Sequence, residues 1–177
     1  MKFKLRPYQE EASKKAVEFF LDEKKNWNAL EVLPTASGKS LILADIAARL
    51  KDKVLVFSPT KEILEQNYKK YCSYGFDNAS IYSASFKSKE ISDVTFATIG
   101  SVKGHPELFT DFKYILIDEV HLVKPESGMY KEFLDKLKSK VIGLTATPFR
   151  LYSYQNYGSI LKFLTRSRDK IFKELIY

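Results

Sequence analysis

Short apolar runs alternate along the chain with longer segments in which apolar residues recur every three or four positions. A short apolar run bounded by turn residues is typical of a buried strand, and the longer spacing is typical of a helix with one buried face. Regular alternation of the two is the pattern of a parallel sheet with crossover helices. We therefore expect an α/β fold with a mostly parallel sheet and helices on both faces.

The individual elements can be placed from this pattern. Helices are predicted after Pro7, at 39–50, after Thr60 and near 130–138. Proline suits the first turn of a helix, and threonine is a good N-cap. Strands are predicted at 29–33, 53–57, 80–83, 93–98, 114–117 and 141–144.

The segment after Pro148 shows no clear period of apolar residues. We therefore expect residues 1–150 to form the folded domain and residues 151–177 to act as a connector. That connector contains several aromatic residues and a basic cluster, which consists of Arg166, Arg168 and Lys170.

The composition is that of one globular domain of 177 residues, with 45% hydrophobic and 29% charged residues. Its single cysteine, Cys72, excludes an intrachain disulfide and favours a reducing compartment. The sequence has neither the apolar run of a membrane span nor a signal peptide, so we expect a cytoplasmic protein, or one associated with the nucleoid. The net charge of +7 and the pI near 9.3 favour a polyanionic partner, but charge alone does not decide the function.

A loop of small residues lies between the predicted strand at 29–33 and the predicted helix at 39–50. A triphosphate requires backbone N–H groups facing a concavity, the positive end of a helix, and a cation. Lys39 would supply the cation to the β- and γ-phosphates, and the Ser40 hydroxyl would ligate Mg²⁺. Leu33 stands at the first glycine position of the usual pattern, so the strict motif is not met. The predicted binding residues are Pro34, Thr35, Ala36, Ser37, Gly38, Lys39 and Ser40.

Two adjacent carboxylates, Asp118 and Glu119, follow the predicted strand at 114–117. Open α/β sheets bind ligands at the carboxyl ends of their strands. Phosphoryl transfer requires a carboxylate for Mg²⁺, a role that Asp118 fits, and a group that orients or deprotonates the attacking water, a role that Glu119 fits. The pair is a weak signal alone, but together with the Lys39 loop it predicts a site for nucleotide hydrolysis.

A third segment, residues 143–148, ends the last predicted strand with two threonine hydroxyls. The order PTASGKS, then DEVH, then TAT resembles the first RecA-like motor domain of superfamily 2 helicases and translocases over about residues 3–150. The DEVH form and the ending GLTATPFRL resemble most the translocase-like branch that includes RadD-type repair proteins and type I and III restriction motors. The resemblance implies a RecA-like P-loop NTPase fold and an ATP-dependent motor on nucleic acid, DNA more than RNA.

The resemblance also implies how the nucleotide is held. Arg6 and Gln9 match the family's adenine-recognition element, in which Gln9 would pair with adenine through both groups of its amide and Arg6 would lie near the nucleotide. ATP and Mg²⁺ are the implied cofactors, with the metal on Ser40 and Asp118. Hydrolysis would be carried by Lys39, Asp118 and Glu119.

Two further sets of residues follow from the same resemblance. His121 would couple the state of the nucleotide to Thr145 and Thr147. The backbone of one nucleic-acid strand would be held by hydroxyls, backbone N–H groups and a helix N-terminus in two segments. The residues concerned are Pro59, Thr60, Lys61, Gln66, Thr98 and Ser101.

Motors of this class have a second RecA-like domain that carries an arginine finger, and no such segment follows Pro148. We expect either a fragment or a second domain on a separate chain. Loss of an arginine finger costs about 10³–10⁵ in rate, so these residues alone should bind ATP weakly, hydrolyse it poorly and unwind nothing. Two alternatives stay open: a P-loop ATPase or kinase acting on a small molecule, and a non-enzymatic basic module that binds nucleic acid.

Overall fold

The computed structural model of the chain describes residues 4–123, 128–154, 158–164 and 172–177. No helix in these residues is long and apolar enough to cross a membrane. Short 3-10 helical turns lie at Ala84–Phe86, Pro106–Phe109 and Val120–Leu122. The helices and strands, in chain order, are α1 (Pro7–Leu21), β1 (Asn28–Val32), α2 (Lys39–Leu50), β2 (Val54–Phe57), α3 (Lys61–Cys72), β3 (Ala79–Ser83), β4 (Ser88–Lys89), β5 (Val94–Ala97), α4 (Ile99–Val102), β6 (Tyr114–Ile117), α5 (Met129–Leu134), β7 (Lys140–Thr145), β8 (Phe149–Tyr154), β9 (Gly158–Phe163) and β10 (Phe172–Leu175).

Eight of these strands form one sheet in the order β10-β1-β7-β6-β2-β5-β3-β4. Every neighbouring pair is parallel except β3 with β4. The predicted α/β class with a mostly parallel sheet is therefore confirmed. The carboxyl ends of its central strands lie along one edge, which is where such sheets bind ligands.

Helices cover both faces of the sheet, as predicted. The apolar stripes of α1, α2 and α3 pack on one face, and α4, α5 and the turn at Pro106–Phe109 pack on the other. In β2, Val54 and Val56 belong to the first core, and Leu55 and Phe57 to the second. Because both faces are covered, this strand is apolar throughout.

The helices that border the candidate site begin where the sequence predicts. α1 begins at Pro7, and α2 begins at Lys39 directly after Gly38. Thr60 caps α3 by accepting a hydrogen bond from the Ile63 N–H at 3.3 Å. The starts of these helices are therefore determined by local chemistry.

The chain after Pro148 differs from the predicted connector. β8 and β9 form a separate antiparallel pair, and β10 pairs with β1 as an edge strand of the main sheet. Glu174 of β10 accepts hydrogen bonds from Trp27 Nε1 at 2.8 Å and from Lys25 Nζ at 2.6 Å. β10 thus belongs to the sheet, although its short mixed sequence shows no strand period. The basic cluster of Arg166, Arg168 and Lys170 lies outside the described residues.

The helix predicted near 130–138 is shorter than expected. α5 ends at Leu134, and the N–H groups of Lys136 and Leu137 donate to carbonyls three residues back. Bonds of this spacing make tight turns in place of α-helix. The prediction was wrong for the last four residues because the apolar spacing alone does not distinguish the two.

Candidate functional site

Five loops meet at the carboxyl edge of the sheet, after β1, β2, β5, β6 and β7. Backbone hydrogen bonds join them in pairs. Leu33 N–H donates to the Thr145 carbonyl at 2.9 Å, and Ser58 N–H donates to the Ala97 carbonyl at 3.1 Å. Segments that are far apart in the sequence are therefore neighbours in the fold.

The loop between β1 and α2 has the backbone of a phosphate cradle. Ala36 and Gly38 have φ angles of 63° and 82°, in the left-handed region that only glycine adopts freely. A Cβ at position 38 would lie 2.6 Å from Gln9 Nε2, so a larger residue there would displace the Gln9 amide. The Ser37 hydroxyl is buried and has no hydrogen-bond partner among the described residues. A buried hydroxyl of this kind requires an explanation, and an oxygen-rich ligand supplies one.

The remaining residues of this loop are accessible. Pro34, Thr35 and Ala36 are exposed, whereas Lys39 and Ser40 are half-buried at the start of α2. The first N–H groups of a helix have no partner within the helix, and the helix dipole makes this end positive. The arrangement can bind an anion at the surface of the domain.

Gln9 lies against this loop and is only 5% exposed. Its Nε2 donates to the Ser37 carbonyl at 2.8 Å, and its Oε1 accepts from the Arg6 N–H at 2.9 Å. The Tyr8 hydroxyl donates to the same Ser37 carbonyl at 3.0 Å. Gln9 therefore holds the loop, and only one donor and one acceptor position of its amide are left for a ligand. The Arg6 side chain is exposed beside it.

Lys39 and the two carboxylates lie together, as the sequence predicts. Lys39 Nζ is 2.8 Å from Glu119 Oε1, and both side chains are largely buried. Asp118 is 4% exposed and is held by two hydrogen bonds: its Oδ1 accepts from the Glu119 N–H at 2.9 Å, and its Oδ2 accepts from Asn67 Nδ2 at 3.0 Å. Burial raises the pKa of Asp118, while the hydrogen bond from Asn67 and the charge of Lys39 lower it.

The chain turns sharply after Asp118. Glu119 has φ 50° and ψ 47°, a left-handed conformation that costs a non-glycine residue about 1–2 kcal/mol. The turn places Val120 directly over Gly143 of β7, where a Cβ would lie 2.7 Å from Val120 Cγ2. Gly143 is therefore the residue that allows the carboxylate loop to lie on the next strand.

His121 connects the carboxylates to the end of β7. Its Nδ1 is 2.9 Å from Thr145 Oγ1 and 3.4 Å from Glu119 Oε2. Thr145 Oγ1 accepts from the Thr147 N–H at 2.9 Å and lies 3.2 Å from the Thr147 carbonyl. The structure thus joins His121, Thr145 and Thr147 by hydrogen bonds and places the Glu119 carboxylate beside His121.

The residues predicted to hold nucleic acid lie on two neighbouring loops. Thr60 and Lys61 are exposed after β2, with Pro59 half-buried, and Lys61 Nζ lies over the Phe86 ring at 5.0 Å. After β5, the hydroxyls of Thr98 and Ser101 are 2.9 Å apart, and Ser101 Oγ accepts from the Ala84 N–H. Gln66 is exposed on α3.

An apolar cavity of about 390 Å³ lies between these loops and the carboxylates. Pro59 and Thr60 form one side of it, and Asp118 and Glu119 form another. The two predicted functions, nucleotide hydrolysis and nucleic-acid binding, therefore share a boundary in the fold.

Four residues near the site were not singled out from the sequence. Tyr8 and Asn67 hydrogen bond to the phosphate loop and to Asp118, and Val120 and Gly143 pack the carboxylate loop on β7. Only Asn67 has a local signal, because it is a polar residue in the otherwise apolar stripe of α3.

The fold is the RecA-like fold that solved helicase domains share. A sequence model described as "Type III restriction enzyme, res subunit" matches residues 2–150. The chain belongs to this family. The resemblance to superfamily 2 motors that the sequence predicts is confirmed.

One curated relative is the DNA 3'-5' translocase XPB2 of Sulfurisphaera tokodaii, which is 32% identical over 152 residues. The match covers 84% of this chain and 32% of that protein. The chain therefore spans about a third of the length of this relative.

Several solved structures share the fold. The UvsW helicase from bacteriophage T4 has a TM-score of 0.69 at 21% identity, over 98% of this chain and 60% of that one. The ATP-dependent type ISP restriction-modification enzyme LlaBIII bound to DNA has a TM-score of 0.72 at 20% identity, and the match covers 99% of this chain and 15% of that one. The Hef helicase domain of Pyrococcus furiosus has a TM-score of 0.67 at 24% identity, over 97% and 37%. At these identities the likeness shows the fold alone.

Proposed function

We propose that this chain binds and hydrolyses ATP as the first motor domain of a DNA helicase or translocase. The observation that carries the proposal is the contact between Lys39 Nζ and Glu119 Oε1, at 2.8 Å, beside the buried Asp118. A lysine at a helix start and two acids at a strand end form the minimal set for phosphoryl transfer. Charged clusters of this kind at the ligand-binding edge of an open sheet are a feature of functional sites.

The residues present fit an ATP–Mg²⁺ ligand. The segment Pro34–Ser40 corresponds to a Walker A loop, in which the buried Ser37 hydroxyl has no partner among the described residues and Gly38 packs against Gln9. Asp118 at the end of β6 corresponds to a Walker B acid in a DEVH box and would hold Mg²⁺ with the Ser40 hydroxyl. The metal would neutralise charge on the phosphates. Gln9 and Arg6 would lie beside the adenine base of ATP. The Gln9 amide has one donor and one acceptor position left to bind that base.

Each side chain of the cluster has a distinct task in hydrolysis. Lys39 would exchange its partner Glu119 for the β- and γ-phosphates when ATP binds. Glu119, released by this exchange, would orient the attacking water and accept its proton. His121 lies within 3.4 Å of Glu119 and 2.9 Å of Thr145, so a change at the carboxylate reaches the end of β7. We propose that this chain of contacts, with Thr147, couples the nucleotide state to the adjoining domain.

Nucleic acid would bind on the neighbouring loops. Exposed Thr60 and Lys61, half-buried Pro59, exposed Gln66 and the paired hydroxyls of Thr98 and Ser101 can contact phosphates, and the net charge of +7 favours such a partner. The names of the relatives support DNA over RNA, since XPB2 is called a DNA translocase and LlaBIII is described as bound to DNA. A cytoplasmic location stays a prediction.

A second RecA-like domain is part of the proposal. The relative XPB2 is about three times as long as the matched segment, which leaves room for such a domain in proteins of this kind. Without an arginine finger, hydrolysis falls by about 10³–10⁵. We expect the 177 residues alone to bind ATP–Mg²⁺ weakly and to hydrolyse it poorly.

The test is ATP hydrolysis, measured with no nucleic acid and with single- and double-stranded DNA and RNA. It is made on the 177-residue chain and on the gene product that contains it, with Glu119→Gln as the inactive control. DNA-stimulated hydrolysis by the longer protein, absent in the control, supports the proposal. Hydrolysis that depends on a small molecule and not on nucleic acid supports a P-loop ATPase or kinase. DNA binding that is unchanged by Glu119→Gln, with no hydrolysis, supports the non-enzymatic module. Vigorous DNA-stimulated turnover by the 177 residues alone contradicts the need for a second domain.

A further inference from the structure

Asn67 of α3 joins two loops of the site through one buried amide. The side chain is 1% exposed, and its Nδ2 lies 3.0 Å from Ser58 Oγ and 3.0 Å from Asp118 Oδ2. Both are acceptors, and each takes one of the two N–H groups of the amide. Ser58 follows β2, and Asp118 follows the neighbouring strand β6.

A buried amide lowers the stability of the fold at this position. Its Oδ1 is buried and has no hydrogen-bond partner among the described residues. An unsatisfied buried acceptor costs about 1–3 kcal/mol, and the rest of the buried stripe of α3, Leu64 and Tyr71, is apolar or aromatic. This cost is offset only by the groups that the amide contacts, which are the buried Ser58 hydroxyl and the buried Asp118 carboxylate.

One of those contacts orients Asp118. Both carboxylate oxygens accept hydrogen bonds, Oδ1 from the Glu119 N–H and Oδ2 from Asn67 Nδ2. A group that holds a metal-binding carboxylate in this way commonly changes metal affinity by about 10–100-fold when it is removed. Among the described residues, no hydrogen bond joins Asn67 to the loop Pro34–Ser40. An effect of Asn67 on nucleotide affinity would therefore pass through Asp118.

The other contact reaches the loop that we propose to contact nucleic acid. Ser58 immediately precedes Pro59 and Thr60, and Thr60 caps the same helix that carries Asn67. A movement of this loop therefore moves one or both ends of the Ser58–Asn67–Asp118 connection. Coupling between two binding sites is reciprocal. If DNA bound to this loop changes the affinity for Mg²⁺ and nucleotide, the nucleotide changes the affinity for DNA by the same factor.

We propose that Asn67 is a positioning residue that holds Asp118 for Mg²⁺ and links it to the nucleic-acid loop through Ser58. The inference rests on the proposed function. Removal of the amide should weaken Mg²⁺-dependent nucleotide binding and leave metal-free binding unchanged. Removal of the Ser58 hydroxyl should leave Mg²⁺-dependent binding intact but reduce the mutual enhancement of nucleotide and DNA binding.

The test is titration of the chain with a fluorescent ATP analogue, in Mg²⁺ and in EDTA, with and without a single-stranded DNA oligonucleotide. The variants are Asn67→Leu, which keeps the volume, Asn67→Ala, in case the leucine does not fit, and Ser58→Ala. Asn78→Ala is the matched control, because Asn78 also hydrogen bonds to α3, through the Tyr71 hydroxyl at 2.9 Å, but outside the site. Thermal unfolding of each variant identifies those that are folded.

We expect the Asn67 variants to lose about tenfold or more in affinity in Mg²⁺ and less than twofold in EDTA. Ser58→Ala should lower the ratio of affinities with and without DNA toward one, and Asn78→Ala should change neither quantity. Equal losses in Mg²⁺ and EDTA, or no loss in Mg²⁺, would overturn the inference. If the unmodified chain binds no nucleotide, the proposed function itself fails, whereas nucleotide binding that requires Lys39 but not Asn67 defeats this inference alone.

Discussion

Lys39 Nζ and Glu119 Oε1 are 2.8 Å apart, although they belong to segments far apart in the chain. α2 begins at Lys39 after β1, and Glu119 follows β6, so the two residues meet only because both strands end at the same edge of one parallel sheet. An ion pair in this place holds the lysine beside the carboxylates. The pair is therefore the reference point for the proposed nucleotide site.

Lys39→Ala should remove nucleotide binding, with a loss of at least about 100-fold, or roughly 2.7 kcal/mol. The reason is that the variant deletes the cation at the helix start and leaves Glu119 without its partner. Titration with a fluorescent ATP analogue measures the loss. Lys14→Ala makes the same change of charge at a side chain that is 69% exposed, and it should bind like the unmodified chain. An unchanged titration curve for Lys39→Ala would remove the phosphate-loop assignment.

Glu31 should make the stability of the domain fall as the pH rises. It is fully buried in β1, neither carboxylate oxygen has a hydrogen-bond partner among the described residues, and burial raises its pKa to about 8, against the opposing charge of Lys15. The unfolded carboxyl group titrates near 4.3, so between these values the native state binds more protons than the unfolded state. The stability present in acid is therefore lost as the pH rises through about 8, by roughly 3–5 kcal/mol in total.

Urea unfolding at several pH values between about 5 and 9 checks this prediction. Glu31→Gln keeps the shape and removes the charge, so it should flatten the pH dependence. Glu11→Gln is the control, because Glu11 forms an ion pair with the same lysine, Lys15, at 3.2 Å, but is 57% exposed. A Glu31→Gln variant that keeps the full slope of the unmodified chain would show that another group is responsible.

Ala36→Gly should stabilise the domain. Ala36 has φ 63°, which costs an alanine about 1–2 kcal/mol, while the added freedom of glycine in the unfolded chain costs about 0.4–1 kcal/mol. The difference leaves a gain of roughly 0.5–1 kcal/mol, or a rise in Tm of about 1–4 °C. Ala48→Gly, within α2, should have the opposite sign because the helix is disturbed by glycine. Calorimetry measures the Tm of both variants. A Tm for Ala36→Gly below that of the unmodified chain would contradict backbone strain at Ala36.

Gly143→Ala should destabilise the domain by about 1–3 kcal/mol, because its Cβ would lie 2.7 Å from Val120 Cγ2. The same clash should displace the turn that carries Glu119 and His121. Val120→Ala removes two of the three short contacts and leaves the one to Val120 Cβ at 2.8 Å, so its combination with Gly143→Ala should lose less than the sum of the two single losses. Denaturant unfolding of the unmodified chain, the two single variants and the double variant measures this double-mutant cycle. Strictly additive losses of stability would mean that the contact with Val120 does not cause the effect of Gly143→Ala.

Local chemistry predicted the elements next to the site well. Pro7, Lys39 and Thr60 mark the starts of α1, α2 and α3, and the apolar run of β6 predicts its bounds, Tyr114–Ile117. The predicted phosphate loop, carboxylates and TAT segment are all brought to one edge of the sheet. Strand ends and helix starts carry their signals in adjacent residues, so they could be predicted without the fold.

The predictions failed where the deciding partners are distant in sequence. β10 shows no strand period, and it is a strand because it pairs with β1, with Glu174 bonded to Trp27. α5 ends earlier than its apolar spacing indicates. The roles of Asn67 and Gly143 depend on Asp118 and Val120, which no local pattern connects to them.

The amino-acid order alone thus determined the class of fold, the elements along the site and the residue types that carry the chemistry, because these depend on short-range periodicity and on turn residues. Only the tertiary structure decided that Lys39 pairs with Glu119 among the two carboxylates, that Gln9 holds the phosphate loop, and that one buried amide connects Asp118 to Ser58. Such contacts depend on the order and register of strands in the sheet. That order results from packing over the whole domain, and a single segment of sequence does not contain it.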